Sequence, residues 1–289
     1  MKIILDFSPL ALFLIMIGVG MSVNIKSFFE VFKNLKALLI GLLSQMVILP
    51  LIGFLFAIFA PIDHFFKLGI ILITCVPSAV TSNYISKLVD GNVALSVSLT
   101  SITACFSFIT IPFILLIVAP GVLDRTDIFQ ELNFIKMSLG LLMITTVPVL
   151  MGVFVSRKFS VFAKKINKFY SIFSLLLFVT TVIAALASEW NVVINLYESI
   201  GLLVISLALV VLITSYTLVN LINLNEANKK TIIIESFIQN AAMAIIVGGT
   251  ALGAGNGYLA IAVLYALLQY KILLFLWAAE RFHKKFINI

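Results

Sequence analysis

Leu68–Lys87 reads LGIILITCVPSAVTSNYISK, an apolar run interrupted at Pro77 and followed by Ser78, Thr81, Ser82 and Asn83. About 20 residues suffice to cross the hydrocarbon of a bilayer, and the stretch around Pro77 has that length. Proline removes a backbone donor and clashes with the preceding turn, so the helix is expected to break there, with Ser78 and Ala79 in the gap. The carbonyls freed by such a break can face an ion. The half-helix starting near Thr81 would turn its positive end toward an anion. Hydroxyls and an amide inside a membrane segment serve either function or bonds to backbone and neighbouring helices, and singly the two readings are about even.

The rest of the chain agrees with a membrane setting. Of 289 residues, 62% are hydrophobic and 11% charged, and the mean hydropathy is +1.22. Soluble proteins average about 45–50% apolar and 25% charged. The composition therefore excludes a soluble globular enzyme, a nucleic-acid-binding module and a disordered chain. Without a ten-residue alternating pattern, helices are favoured over a barrel. Apolar stretches of spanning length occur at roughly 5–22, 37–60, 65–88, 92–118, 134–156, 169–188, 198–222, 231–254 and 257–280, nine in all. The longest loop, about 119–133, carries Asp124, Arg125, Asp127 and Glu131.

With the N-terminus outside, the inner loops hold fourteen of the nineteen basic residues, among them Lys33, Lys36, Lys87, Arg157, Lys229 and Lys230. Lys2, Lys67, Arg125 and Lys136 remain outside. The positive-inside rule thus orients the chain N-terminus out and C-terminus in, and the net charge of +7 reports topology. Asp6 interrupts the first stretch, and no small-x-small cleavage site lies near Gly20–Val23, so a retained helix is expected there. Cys75 and Cys105 fall within spans, away from disulfide or metal duty. His64 and His283 are expected in loops, and the Gly253-x-Gly255-x-Gly257 cluster reads as a turn between spans.

Among the twelve acidic residues, Glu235 alone lies clearly inside a span. Gln239 and Asn240 follow it, Gln45 interrupts the second span ahead of Pro50, and Ser96 and Thr100 mark the fourth. Measured from the inner boundaries, these oxygens fall roughly 6–14 Å deep, in one slab of the membrane. A carboxylate with amide and hydroxyl oxygens suits a hard cation such as Na⁺. The third and eighth spans run in opposite directions and carry similar amide pairs, the pattern of inverted-repeat transporters with discontinuous helices. Lys271 is placed about 15 Å deep, near the midplane. Three readings stand for it: counter-charge to an anionic substrate, partner of Glu235, or a wet position at an interface between helices.

The run Cys75-Val76-Pro77-Ser78-Ala79-Val80-Thr81-Ser82-Asn83, then Gly91-Asn92-Val93-Ala94-Leu95-Ser96 and Thr100-Ser101, resembles the bile acid:sodium symporter family. So do Ser44-Gln45 ahead of Pro50 and Glu235 through Gln239-Asn240. The resemblance implies panel and core domains built from inverted five-helix repeats, about 1–120 and 134–289 here, with the first helix of the first repeat missing. It also implies two Na⁺ ions. One would be held by Ser82, Asn83, Ser96, Thr100 and Glu235. The other would take Gln45, Glu235 and Gln239 with the backbone carbonyls of Ser236 and Ile238. Thr81, Asn240 and Lys271 are the candidate substrate-binding residues. Many relatives read Pro-Gly-Gly-Thr-Ala-Ser-Asn where this chain has Pro77 to Asn83, so the substrate region departs from the family.

The expectation is an all-α polytopic membrane protein of nine transmembrane helices, one transporter domain over 1–289, with two crossed discontinuous helices. It would import a small organic anion (bile-acid-like, pantoate-like or another carboxylate) with Na⁺ by alternating access, in the inner membrane of a bacterium. The expected partners are that anion and the lipid bilayer, with no nucleic acid and no protein partner inferred. An enzyme is not expected, because no intramembrane His or Asp supplies a nucleophile–base pair or a metal set. The alternative is a proton-coupled efflux carrier of the related arsenite or auxin-efflux type, with Glu235 titrating.

Overall fold

The computed structural model carries helix in each of the nine apolar stretches, with described breaks inside the third and eighth; the description covers residues 8–23, 25–32, 35–120, 133–195, 197–252 and 257–287. The helices are α1 (Ser8–Ser22), α2 (Ile25–Val31), α3 (Leu35–Phe59), α4 (His64–Cys75), α5 (Thr81–Leu88), α6 (Val93–Phe113) and α7 (Phe134–Lys158). They continue as α8 (Ser160–Ser188), α9 (Trp190–Asn195), α10 (Tyr197–Asn220), α11 (Glu226–Phe237), α12 (Ala241–Leu252) and α13 (Tyr258–Ile287). Among the described residues, five segments are long and apolar enough to cross a membrane: Leu35–Phe59, Val93–Leu116, Phe134–Lys158, Phe169–Ser188 and Ile200–Asn220. The third and eighth stretches are each split in two. Lys2, Asp6, Lys33, the loop charges Asp124, Arg125, Asp127 and Glu131, and the turn glycines 253 and 255 lie outside the described residues.

The helices are sorted by what surrounds them. Ala241–Val247 of α12 and Tyr258–Ala266 of α13 are buried on every side. By contrast, α8 turns Ile172, Leu176, Val179 and Ile183 outward, at spacings that form one apolar stripe along the helix. Leu51, Leu55 and Ile58 on α3, and Leu202, Leu209 and Ile213 on α10, are exposed in the same way. Water would penalise such continuous apolar faces; lipid does not. The architecture is that of a polytopic helical membrane protein.

Small residues let helices approach closely where no hydrophobic drive exists between them. At the crossing of α1 and α7, a Cβ on Gly20 would run into the carbonyl of Val149, and one on Gly152 into that of Ile17. Both obstacles are backbone, which cannot swing away. Gly152→Ala is therefore expected to cost about 1–3 kcal/mol, as over-packing does elsewhere. Gly140→Ala in the same helix has nothing within 4 Å of its new methyl group and should not destabilise. Thermal unfolding midpoints of the two purified variants check the contrast.

Three prolines inside the helices accompany widened turns. Pro50 and Pro148 each follow a π-helical turn, Ser44–Ile48 and Leu142–Thr146, ending two residues earlier. Widening the turn before a proline relieves the clash of its ring with the carbonyl four residues back. In α3 the widened turn also rotates Ser44 and Gln45 inward, and both are buried. A third π turn, Ile114–Val118, follows Pro112. His64 opens α4 instead of lying in a loop, and its Nδ1 is buried without a partner. His283 likewise falls within a helix, α13.

Both breaks form as expanded segments that satisfy each other. Pro77 lies between α4 and α5, and the residues from Ile238 to Asn240 lie between α11 and α12. Ala79 N–H donates to Ile238 O at 3.2 Å and Asn240 N–H to Pro77 O at 2.9 Å, so the two segments pair as a short antiparallel ladder with Ser78 opposite Gln239. Buried backbone groups released by a break need such partners. Among the described residues this bridge is the single strand-like feature.

The turn between α5 and α6 is tied down just as firmly. Asp90 has φ 57°, and Gly91 N–H returns to Ser86 O at 2.7 Å, closing α5. A Cβ on Gly91 would sit 2.7 Å from Thr231 Oγ1 and 2.9 Å from Ser86 O. Asn92 then caps α6 by accepting from Leu95 N–H at 3.1 Å. It also reaches α11, donating its N–H to Thr231 Oγ1 at 2.8 Å and its Nδ2 to Asn228 Oδ1 at 2.9 Å. The GNVALS run is thus a knot joining α5, α6 and α11.

Candidate functional site

Glu235 is wholly buried on the last turns of α11. Ser78 and Thr100 donate to its Oε2 at 2.5 and 2.9 Å, and Gln45 Nε2 approaches the same oxygen at 3.4 Å. Ser82 donates to Oε1 at 2.5 Å, and Ser96 donates to that oxygen too. Five residues from α3, the first break, α5 and α6 therefore converge on one carboxylate. Among the described residues, no lysine, arginine or histidine forms an ion pair with it. A buried charge without a counter-charge is expensive, and hydroxyl donors offset only part of the cost.

The donors are also acceptors. Each hydroxyl keeps lone pairs after giving its proton to Glu235. Two amide oxygens nearby, Gln45 Oε1 and Gln239 Oε1, are buried with no hydrogen-bond partner at all. Buried polar atoms are rarely left so, and each orphan calls for an explanation. A donor set made only of oxygen, carrying one negative charge, fits a hard monovalent cation and offers nothing to a soft metal. Among the described residues no group of three His, Cys, Asp or Glu side chains could hold a metal ion. Beside the cluster, a small cavity of about 10 Å³ is lined by Gln45, Pro77 and Thr103 among others.

The remaining candidates fall around this centre. Asn83 Oδ1 lies 2.8 Å from Ser96 Oγ, competing with Glu235 for its one proton, and Asn83 Nδ2 is unpaired. Ser236 Oγ pairs with Ser44 Oγ at 2.7 Å, fixing α11 against the π turn of α3. Two carbonyls proposed for an ion already accept protons: Ser236 O from Gln239 Nε2 at 2.7 Å, and Ile238 O from Ala79 N–H. Each retains a second lone pair. Asn240 caps α12, accepting from Met243 N–H at 3.1 Å. Thr81 pairs with Tyr270 Oη at 2.7 Å. Lys271 sits on an exposed face of α13 and forms no ion pair with Glu235, which removes one of its three readings.

Several participants were not singled out from the sequence. Ser78 had been assigned only to the break, yet its hydroxyl joins the carboxylate's shell. Gln269, fully buried on α13, accepts from Gln239 N–H at 2.9 Å and donates to Gln239 O at 3.3 Å. Its place inside an apolar span was the available signal, since a buried amide needs partners. Glu189, just past α8, is a second buried acid, 1% exposed, and accepts from Gly257 N–H at 3.1 Å.

Comparison with known proteins follows the same line. Residues 9–196 match the Sodium Bile acid symporter family. The protein named "Probable sodium/metabolite cotransporter BASS6, chloroplastic" of Arabidopsis thaliana is 29% identical over 81% of this chain and 58% of its own length. "Sodium/bile acid cotransporter 4" of Homo sapiens is 28% identical over 96% of this chain and 65% of its own. The human "Ileal sodium/bile acid cotransporter" is 33% identical over 57% of this chain and 47% of its own. The chain thus spans about half to two thirds of the length of these curated relatives. With two thirds of its residues inside the family match and an all-oxygen centre behind two paired helix breaks, the chain belongs to the sodium bile acid symporter family.

Proposed function

We propose that the protein is a sodium-coupled secondary transporter that imports a small organic anion across a cell membrane by alternating access. The observation carrying this reading is the pair of orphaned buried oxygens, Gln45 Oε1 and Gln239 Oε1, beside the uncompensated carboxylate of Glu235. In this reading one Na⁺ is held by Ser82, Asn83, Ser96, Thr100 and Glu235. A second is held by Gln45, Glu235 and Gln239, with the free lone pairs of the Ser236 and Ile238 carbonyls. The bound ions supply the positive charge the cluster lacks, and their gradient supplies the driving force. Ser78 belongs with the first set, because its hydroxyl shares an oxygen of Glu235 with Thr100.

The anion is assigned to the other side of the crossing, where Thr81, Asn240 and Lys271 lie. Lys271 is the positive charge available there, and its exposed position leaves it free to meet a carboxylate or sulfonate. The names of the relatives, which speak of bile acids and of metabolites, support an organic anion as a class. Inverted repeats over about 1–120 and 134–289 and an N-terminus outside complete the reading. The two breaks, on the third and eighth spans and so on segments of opposite direction, support it.

The test is uptake into proteoliposomes of taurocholate and of pantoate, each with Na⁺ and with K⁺ outside, together with thermal stability in the two salts. Expected is uptake of at least one anion only in Na⁺, and a higher midpoint in Na⁺. Equal uptake in both salts that follows a pH gradient would instead establish the proton-coupled alternative, with Glu235 as the titrating group.

A further inference from the structure

Two consecutive residues of α13 touch two different parts of the site, and the next, Lys271, stands on an exposed face. Gln269 is fully buried and holds both backbone groups of Gln239, which lies in the second break. Tyr270 Oη bonds Thr81 Oγ1 at 2.7 Å, on the first residue of α5 and directly before Ser82, a donor to Glu235. Lys271 lies on the exposed face shared with Leu267 and Leu274, which are 41% and 65% exposed.

We propose that Gln269 is a positioning residue for the cation cluster, and that the strip Gln269–Tyr270–Lys271 transmits cation occupancy to the exposed face of α13. The inference rests on the sodium reading above and adds a route to it. Gln239 directs an unpaired oxygen into the cluster while its own Nε2 is spent on Ser236 O. With Nε2 held by Ser236 O, the position of that oxygen follows Ser236 and the Gln239 backbone. On one side the backbone of this segment is fixed by the first break, through Ile238 O and Asn240 N–H. On the other side Gln269 clamps Gln239, using its side-chain amide as a strand would use its peptide, and Gln239 O also accepts from Ala241 N–H at 2.9 Å.

A cation drawing in Gln239 Oε1 therefore pulls on Gln269, and one drawing in Ser82 pulls on Tyr270 through Thr81. Successive residues of a helix point about 100° apart, so an α13 held at 269 and 270 turns or shifts as a rigid rod. Lys271 then changes its surroundings without touching the ion. Such transmission is a coupling between two sites, and thermodynamics makes it reciprocal: an anion at Lys271 would alter sodium affinity by the same factor.

The test uses the full chain with Cys75→Ser and Cys105→Ser, carrying Lys271→Cys and reconstituted in liposomes. N-ethylmaleimide labelling of the introduced thiol is timed in Na⁺ and in K⁺, and the thermal midpoint is recorded in both salts. Expected are a higher midpoint in Na⁺ and a labelling rate that differs at least about threefold between salts. Adding Gln269→Met, which keeps side-chain volume but removes both bonds, should erase the labelling difference while Na⁺ still raises the midpoint. Gln269→Glu keeps the acceptor for Gln239 N–H and should restore part of the difference; it also serves if the Met variant does not fold. Equal labelling in the two salts despite a raised midpoint, no labelling in either, or a difference that survives both variants overturns the route alone. A midpoint indifferent to Na⁺ in the unaltered protein overturns the sodium reading and the route with it.

Discussion

Glu235→Gln is expected to abolish Na⁺ binding and Na⁺-dependent uptake while leaving the ion-free protein at least as stable as before. The carboxylate is buried among neutral donors with no cation to balance it, so its charge costs the empty protein several kcal/mol. An amide of the same shape removes that cost. Ser78, Ser82, Ser96 and Thr100 can each accept as well as donate, so they can reorient around the new NH₂ group. The ion loses its single formal countercharge and the oxygen shared by both proposed sites. In Na⁺ at about 100 times its dissociation constant, a bound ion stabilises by about 2.7 kcal/mol, and that gain should vanish. Thermal midpoints in Na⁺ and K⁺, and tracer Na⁺ exchange in liposomes, read both halves. A variant unstable in K⁺ yet still stabilised by Na⁺ would assign Glu235 to architecture.

The second large effect is electrical. Two Na⁺ entering with one monovalent anion carry one net charge inward per cycle. Moving one charge across 100 mV is worth about 2.3 kcal/mol, so an inside-negative potential of that size should raise accumulation roughly 50-fold. Proteoliposomes clamped with a potassium gradient and valinomycin, at matched Na⁺, measure this directly. Accumulation that ignores potential would mean one Na⁺ per anion, and one of the two proposed sites would fall. Lys271 does not enter this balance, since a fixed charge of the protein returns empty with each cycle.

What the sequence disclosed, and what it withheld, follows from the range of each interaction. Pro77 announced its break because a missing N–H acts on its own turn, whatever surrounds it. Hydropathy revealed the membrane because it sums over many residues. Glu235 stood out because few charges are tolerated in a span. Ser78, by contrast, differs from any turn serine only by its three-dimensional neighbour, and nothing adjacent in the chain declares that Glu235 lies opposite. Gln269 was hidden for the same reason, since its partner is thirty residues away on another helix. For Lys271 the structure removes the pairing with Glu235 and keeps it on an exposed face. Depth counted along a helix measures distance from the surface, but it does not say which side of the helix carries the residue. The π turns escaped because Pro50 and Pro148 specify a clash, and a helix can resolve a clash by widening as well as by bending.

The knot at Asn92 bears on how an ion would be released. Asn92 makes bonds to Thr231, Asn228 and Ala227, each worth about 1 kcal/mol net and all within one turn of Ser96. Prising α6 from α11 would forfeit them together. In the proposed transport cycle the groups that surround Glu235 from these two helices would therefore travel as one body, with the same geometry whichever side of the membrane the body faced. An ion held by an undeformed shell has equal intrinsic affinity at both faces. Sodium concentration and voltage on the two sides, not a weakening of the shell, then determine where the ion leaves.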